Sequence, residues 1–212
     1  MNNYNINSFK NRVEFKFNSK NLIGEILSEL PNLKVSRRPS YVNTLYFDTV
    51  DLKNYFSSID GEQPRKQFRY RFYTPYPNHK KIKKGFFHIK YSTEFGDFKK
   101  KIDIKYKDII RYLDFFENKK HKKVSLIQYK RFYFISDFSR VTLDTNLSSY
   151  SFINDRLSSP KNWPTNILEI KVPFKLKNYF LSNYLFSRNE WRLSKYEISL
   201  SNYESLNQDL RI

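Results

Sequence analysis

Hydrophobic and polar residues alternate along several short segments of this chain, as they do in β-strands with one buried face. The segment Arg12–Phe17 alternates strictly, with Val13, Phe15 and Phe17 on one side. Comparable segments occur at residues 41–47, 65–73, 86–91, 98–104, 124–134, 140–144 and 167–172. The pattern therefore predicts about eight strands.

Helical spacing is confined to a few places between these segments. After Ser19, apolar residues recur at the spacing of one helix face, and Pro31 ends that helix. Residues 105–116 and 176–186 also have helical spacing, and residues 51–58 indicate a short helix or turn. Many strands with few intervening helices favour a mainly β, α+β fold, and specifically a closed antiparallel barrel with flanking helices. Since 212 residues fit one large domain, we expect a single domain over 1–212.

The composition supports β structure and excludes several kinds of site. Phe and Tyr, which favour strands, raise the aromatic fraction to 18%. The absence of Cys excludes disulfides, Cys-ligated zinc and thiol catalysis, and three scattered His residues argue against a His-rich metal cluster. No apolar run approaches the ~20 residues of a membrane helix, and the N-terminus has no signal-peptide core. We therefore expect a soluble, cytoplasmic protein.

The formal net charge of +18 is the strongest compositional feature. Such a surplus indicates an anionic partner, which could be nucleic acid, an anionic membrane or a polyphosphate, although AT-rich codon usage would also raise the Lys content. Three basic runs, at residues 79–84, 99–101 and 119–123, are expected between the predicted elements. They are either solvated loops and strand edges at which Lys prevents pairing with another molecule, or an electrostatic funnel for a polyanion.

Because side chains alternate across a strand, the sequence also assigns the charged residues to faces. Six predicted strands have an apolar face opposite a charged one. The charged faces hold Arg12, Glu14 and Lys16; Gln67, Arg69 and Arg71; His88 and Lys90; Arg131; Arg140, Thr142 and Asp144; and Glu169 and Lys171. These faces either contact open solvent or, if the sheet curls inward, line a basic, water-filled tunnel. A dry tunnel is excluded because burying an unpaired cation costs tens of kcal/mol by idealised Born estimates.

The sequence resembles the vacuolar transporter chaperone (VTC) domain, the polyphosphate polymerase branch of the triphosphate tunnel metalloenzymes, which are related to the CYTH group. The resemblance rests on ordered fragments that span residues 12–197. They are EFK at 14–16, YVNTLYFDT at 41–49, Tyr55, Gly61, RYRFY at 69–73, HIK at 88–90, YKR at 129–131, RVTLDT at 140–145, LEIK at 168–171 and SKY at 194–196. Each fragment alone is weak, whereas the ordered set is specific.

The resemblance implies a tunnel that grips a triphosphate or a growing polyphosphate chain. Its phosphate-contacting positions fall on Lys16, Arg69, Arg71, Lys90, Arg131, Arg140, Lys171, Ser194 and Lys195. Its metal-binding carboxylate falls on Glu169, with Glu14 as a second ligand in the wider superfamily, and the expected ion is Mn²⁺ or Mg²⁺. Two positions depart from the family pattern, with Gln67 in place of a Lys and His88 in place of a Glu. His88 is either tolerated at a tunnel rim or is itself a metal or phosphate contact.

The expected activity is transfer of the γ-phosphate of ATP to the end of a polyphosphate chain. Hydrolysis of triphosphates needs nearly the same residues, and a non-catalytic polyphosphate or inositol-phosphate binder is favoured by Gln67 and His88. A nucleic-acid binder is a further alternative, but no known RNA-binding signature is present. We expect ATP and polyphosphate as partners and no nucleic acid, with a membrane reached only through another protein.

Overall fold

The computed structural model describes residues 12–17, 22–78, 82, 84–94, 96–183 and 194–208. The strands within these ranges are β1 Arg12–Phe17, β2 Lys34–Thr49, β3 Arg65–Phe72, β4 Gly85–Thr93, β5 Gly96–Ile102, β6 His121–Ile135, β7 Arg140–Ile153, β8 Arg156–Leu157, β9 Lys161–Asn162 and β10 Ile167–Pro173. The α-helices are α1 Leu22–Ser28, α2 Lys53–Ile59, α3 Ile109–Glu117, α4 Lys177–Ser182 and α5 Lys195–Gln208.

The long strands form one sheet in the order β1-β10-β7-β6-β2-β3-β4-β5, and the short strands β8 and β9 pair with β7. The registers of β1 with β10, β10 with β7, and β2 through β5 with one another are all antiparallel. The expected mainly β, antiparallel fold of about eight strands with flanking helices is therefore confirmed. Closure of the sheet into a barrel stays a prediction.

The described residues fall into two compact units. The first contains those within 1–40, 129–147 and 163–193, and the second contains those within 41–128, 148–162 and 194–212. We refer to them as the first unit and the second unit. The expectation of a single domain over 1–212 stays a prediction.

Each unit has its own hydrophobic core, built from the apolar faces that the alternation identified. In the first unit, Phe15 and Phe17 of β1 and Ile170 of β10 pack with Ile26 of α1 and Phe180 of α4. In the second unit, apolar residues of β2, β3, β4 and β6 pack against α3, namely Leu45, Phe47, Phe68, Tyr70, Phe72, Phe87, Ile89, Leu126, Ile109 and Leu113. The charged residues of these strands consequently lie on the other face of the sheet.

Two strands are longer than the hydrophobic pattern indicates. β2 begins at Lys34 rather than at residue 41. The hydrophobic pattern does not indicate its first residues because they are mostly polar and exposed and include Pro39. β7 likewise continues past Asp144 to Ile153, where apolar residues that pack on the core are separated by serines. Hydrophobic periodicity does not reveal a strand whose side chains are mostly exposed, as at the start of β2, or whose apolar residues are interrupted by polar ones, as in β7.

The basic runs and the late helices differ in how far the structure describes them. Residues 99–101 lie within β5, and the run 119–123 crosses the start of β6. Within 79–84, only residues 82 and 84 are described. The end of the helix expected over 176–186 also lies outside the described residues, while its described part forms α4. No helix among the described residues is long and apolar enough to cross a membrane.

Candidate functional site

A basic face extends across three adjacent strands of the second unit. Arg69 of β3 lies opposite His88 of β4, which lies opposite Lys101 of β5. Two positions along, Gln67, Lys90 and Lys99 form the next row in register. Arg71 occupies the same face of β3. We define the basic face as Arg69, Arg71, His88, Lys90, Lys99 and Lys101.

The residues between these positions point into the core. Phe68 and Tyr70 of β3, and Phe87 and Ile89 of β4, are buried with α3 on the opposite side. This separation follows from the two-residue period of a strand. It confirms the face assignment made from the sequence for β3 and β4.

The cations of the basic face are partly engaged with neighbouring groups. The Nε atom of Arg71 donates a hydrogen bond to Thr44 Oγ1 at 3.3 Å. The Nζ atom of Lys90 lies 2.5 Å from Asp97 Oδ2, and the Nζ atom of Lys101 lies 4.3 Å from the centre of the Phe86 ring. These contacts orient the side chains, and Asp97 is the carboxylate that a phosphate would have to compete with for Lys90.

His88 lies in the middle of this face and is only 9% exposed. Its burial, together with the positive charges of Lys99, Arg69, Arg71 and Lys101, lowers its pKa to about 4. The imidazole is therefore neutral at pH 7. A carboxylate at this position would offset the surrounding cations, whereas neutral His88 adds no negative charge to the basic face.

In the first unit, the predicted metal-binding and phosphate-binding residues form a chain of ion pairs across β1 and β10. Glu14 lies opposite Lys171, and Lys16 lies opposite Glu169. The Nζ atom of Lys16 is 3.0 Å from Glu14 Oε1, and that of Lys171 is 2.9 Å from Glu169 Oε1 and also contacts Glu14 Oε2. Burial opposes the charge on Lys171, but Glu169 and Glu14 outweigh it and raise its pKa.

The donors at this point suit a hard divalent cation. The carboxylates of Glu14 and Glu169 converge on one positive charge, the ammonium of Lys171. Thr142 of β7 lies opposite Glu169 in register, and its buried Oγ1 has no hydrogen-bond partner among the described residues. Carboxylate and hydroxyl oxygens are ligands that Mg²⁺ and Mn²⁺ accept. The described residues contain no group of three or more His, Asp and Glu side chains that could hold a metal alone.

Arg131, which was expected to contact phosphate, forms a two-pronged ion pair with Asp144. Its Nε and Nη2 atoms donate to the two carboxylate oxygens at 2.6 and 2.7 Å. Burial works against the charge on Arg131, but Tyr129, Asp144 and Glu169 raise its pKa overall. Arg140, by contrast, is exposed at the start of β7, in register with Lys171. Of these two arginines, Arg140 is therefore the more accessible to a ligand.

Ser194 and Lys195 lie at the start of α5, in the second unit. The Oγ atom of Ser194 accepts a hydrogen bond from the backbone N–H of Glu197 at 3.4 Å. Glu197 in turn accepts a hydrogen bond from Ser58 of α2. The string SKYE at 194–197 is thus a capping-box sequence that predicts a helix start. Ser194 has this structural role in addition to its expected place near phosphate.

The buried carboxylate of Asp48 connects the start of α5 to β2 and α2. It accepts hydrogen bonds from the backbone N–H groups of Thr49, Asn54 and Tyr55, and from the side-chain amide of Asn54. The hydroxyl of Tyr196 donates to Asp48 Oδ2, the same oxygen that accepts from the backbone of Tyr55. Asp48 therefore fixes the helix that carries Ser194 and Lys195.

A family model confirms what the ordered fragments indicated. The model of the VTC domain matches residues 5–125, more than half of the sequence. The chain belongs to the VTC domain family. Glu14, Lys16 and the basic face lie inside the matched range, whereas Arg131, Arg140, Glu169 and Lys171 lie beyond it. Curated proteins give no match to this VTC domain.

Solved structures resemble this VTC domain along most of its length. The PH1819 protein of Pyrococcus horikoshii OT3 has a TM-score of 0.51 and 15% identity, covering 92% of this chain and 99% of its own. A Vibrio parahaemolyticus protein named as a candidate adenylate cyclase scores 0.52 at 15% identity, covering 88% and 96%. A Bacillus halodurans protein with the same designation scores 0.51 at 13% identity, covering 91% and 97%. At these identities the matches show a shared fold.

The sequence interpretation missed two parts of the site. Lys99 and Lys101 were read as one basic run, yet they belong to the basic face because β5 places alternate residues on it. The sequence contained the signal for this placement, because residues 99 and 101 are alternate residues of a predicted strand and therefore share one of its faces. The ion pair of Arg131 with Asp144 had no signal in the sequence, because it depends on two strands meeting.

Proposed function

We propose that this VTC domain is a polyphosphate polymerase-like phosphotransferase that moves the γ-phosphate of ATP onto a polyphosphate chain. One observation carries the proposal: three adjacent strands of a VTC domain present five Lys and Arg side chains on the face opposite the core. An array of this kind suits a ligand with closely spaced negative charges, such as a triphosphate.

The cations of the basic face would bind and orient the phosphates. Arg69 and Arg71 suit this role because a guanidinium binds two phosphate oxygens at once, whereas Lys90, Lys99 and Lys101 supply point charges. Phosphoryl transfer depends mainly on such positioning and on offsetting the charge that develops on the phosphate oxygens. The neutral His88 accepts a hydrogen bond or donates one, and it adds no charge at pH 7.

Glu14, Glu169 and Thr142 would hold a divalent ion, Mn²⁺ or Mg²⁺, with phosphate oxygens and waters completing its ligands. When bound, the ion would supply Lewis-acid polarisation of a phosphoryl oxygen. Lys171 would then move from between the two carboxylates and become available to phosphate, as would Lys16. The family resemblance predicts that the basic face and the carboxylates of Glu14 and Glu169 line one tunnel, and this stays a prediction.

Two alternatives use the same residues. In a triphosphatase, water replaces the chain end as the acceptor of the phosphoryl group. In a non-catalytic polyphosphate or inositol-phosphate binder, no transfer occurs. The latter is favoured by a specific observation, since both candidate metal ligands are paired with Lys171 and a neutral His88 replaces the family's usual Glu.

The test is to incubate the purified protein with ATP and Mn²⁺ and to measure both long-chain polyphosphate and free phosphate. We expect polyphosphate to accumulate, and we expect Glu169→Gln to reduce the rate by about a hundredfold or more, as loss of a key electrostatic group does. Tripolyphosphate binding should persist in that variant because the cations remain. Glu25→Gln, which alters an exposed carboxylate of α1 in the same unit, is the matched control.

The products distinguish the three functions. Free phosphate without polyphosphate would identify a triphosphatase. Tripolyphosphate binding without either product would identify the binding module. Full activity of Glu169→Gln at limiting metal would overturn the assignment of that carboxylate.

A further inference from the structure

Two adjacent phenylalanines of α3 project from the surface of the second unit. Phe115 is 78% exposed and Phe116 is 64% exposed, although Ile109 and Leu113 of the same helix are buried in the core. The two rings are 5.2 Å apart, and Tyr112 lies 4.4 Å from Phe116. Leaving two such rings in water is unfavourable, and contiguous exposed apolar groups commonly mark an interaction site.

The charges around these rings are predominantly positive. Arg111 lies on α3 one turn before Phe115, Lys107 lies in the turn that precedes the helix, and Lys119 and Lys120 follow its end. All four are exposed. The carboxylates of the helix are engaged elsewhere in the unit, Glu117 with Lys66 at 2.9 Å and Asp114 with His121. We define the α3 surface as Tyr112, Phe115, Phe116 and these four cations.

We propose that the α3 surface docks on an anionic lipid bilayer. Aromatic side chains surrounded by Lys and Arg are the groups by which peripheral segments bind a membrane surface, because the rings enter the boundary of the acyl chains while the cations contact lipid headgroups. The α3 surface contains both kinds of group, since Phe115 and Phe116 lie in the last turn of the helix and Arg111 lies one turn before them. This goes beyond the sequence expectation that a membrane is reached only through another protein.

The observations favour a bilayer over two other occupants. A second copy of this chain would bring the same cations face to face, and each copy has a net charge of +18. Single-stranded nucleic acid stacks its bases on ring faces, but the Phe115 and Phe116 rings meet at 84° and offer no parallel faces to successive bases.

The α3 surface is separate from the proposed phosphate site. α3 packs on Phe68, Tyr70, Phe87 and Ile89, whose strands carry the basic face on their other side. Docking through α3 therefore leaves the basic face open to its ligand. The two proposals can consequently fail independently.

The test is vesicle co-sedimentation of the full chain with phosphatidylcholine alone and with phosphatidylcholine mixed with phosphatidylserine. We expect binding to the mixed vesicles only, and a loss of about tenfold or more in affinity for Phe115→Ser/Phe116→Ser, which removes two apolar anchors. The matched control is Phe174→Ser, because Phe174 is 60% exposed but lies in the first unit. Lys107→Gln/Arg111→Gln should weaken binding and reduce its salt dependence.

A site-specific readout comes from Phe115→Trp, whose fluorescence should shift to the blue on mixed vesicles. Tripolyphosphate binding, measured on the same variants, should stay unchanged. Equal vesicle binding by the wild type and the double serine variant would overturn the proposal. So would a double variant that keeps its vesicle affinity but loses self-association or affinity for single-stranded RNA, since either result assigns α3 to a different partner.

Discussion

A single histidine determines how the basic face responds to pH. His88 is buried among four cations, so adding a proton there brings a fifth positive charge into the same place. In the unfolded chain this repulsion is absent, and the imidazole titrates near its ordinary pKa of about 6.5. Between pH 6.5 and pH 4 the unfolded state therefore binds more protons than the folded state.

We predict from this difference that the free energy of unfolding falls as the pH is lowered from about 6.5 to about 4, by on the order of 2 kcal/mol from His88 alone. The stability associated with neutral His88 is fully present above the pKa of the unfolded chain and is lost progressively as the pH falls below it. Tripolyphosphate should reduce the fall, because its negative charge makes protonation of His88 easier. Urea unfolding across this pH range, with and without tripolyphosphate, measures both effects.

His88→Gln serves as the comparison because it keeps a polar side chain and cannot titrate. Its unfolding free energy should parallel that of the wild type above pH 7 and decline less steeply below pH 6.5. An identical pH dependence of the two proteins would show that His88 is not buried among these cations in the folded state.

The site residues differ in how well the sequence identified them, and the reason is physical. Arg69, Arg71 and Lys90 were placed on one face by strand parity alone, and the structure agrees. The contacts of Arg131 with Asp144 and of Lys171 with Glu14 join different strands. No pattern within one strand encodes such contacts, because they depend on which strands are neighbours and in what register.

At the scale of secondary-structure elements, Asp48 holds β2, α2 and α5 together. Its carboxylate is fully buried, and the two oxygens accept hydrogen bonds from three backbone N–H groups, one side-chain amide and the hydroxyl of Tyr196. Donors that lose a buried acceptor retain the cost of desolvation. The carboxylate is therefore more important to stability than its single charge suggests.

We expect Asp48→Asn to lower the free energy of unfolding by about 3 kcal/mol, because the new NH₂ group would face donors that need an acceptor. Tyr196→Phe removes one of these hydrogen bonds and should cost about 1 kcal/mol. Urea denaturation of both variants tests the difference. Asp60→Asn, an exposed position at the end of α2, is the control and should change little. A neutral effect of Asp48→Asn would contradict the assigned role.

Element boundaries were predicted best where burial alternates and least well where it does not. β1 was identified from end to end, and β3 and β10 to within one residue, because each has an apolar face in the core. The first residues of β2 were missed because they are mostly exposed, and the second half of β7 was missed because serines interrupt its apolar alternation. α5 was missed although the capping-box sequence SKYE occurs at residues 194–197.

At the scale of the whole molecule, the net charge of +18 opposes folding and favours anionic ligands. A ligand that binds only the folded state at a hundred times its dissociation constant stabilises it by about 2.7 kcal/mol. We therefore expect tripolyphosphate to raise the melting temperature by several degrees, and far more than chloride at equal ionic strength. Thermal melts monitored by circular dichroism measure this shift.

The variant Arg69→Gln/Arg71→Gln should separate the two effects of these charges. Without ligand it should be as stable as the wild type or more so, because repulsion within the basic face is relieved. With tripolyphosphate it should lose most of the increase in melting temperature. Lys119→Gln/Lys120→Gln, in the same unit but outside the basic face, should keep that increase. A double arginine variant with the full ligand response would exclude these residues from the site.

The lysines of β5 have a further consequence for solubility. β5 ends the strand order, and no strand of the described residues pairs with its other edge. Lysines along such an edge keep it from pairing with the edge of another molecule, because like charges repel. Lys99 and Lys101 thus protect the edge only while they remain charged and unmasked. A bound polyanion that neutralises them would remove this protection, so the ligand that stabilises each molecule would also allow molecules to join edge to edge.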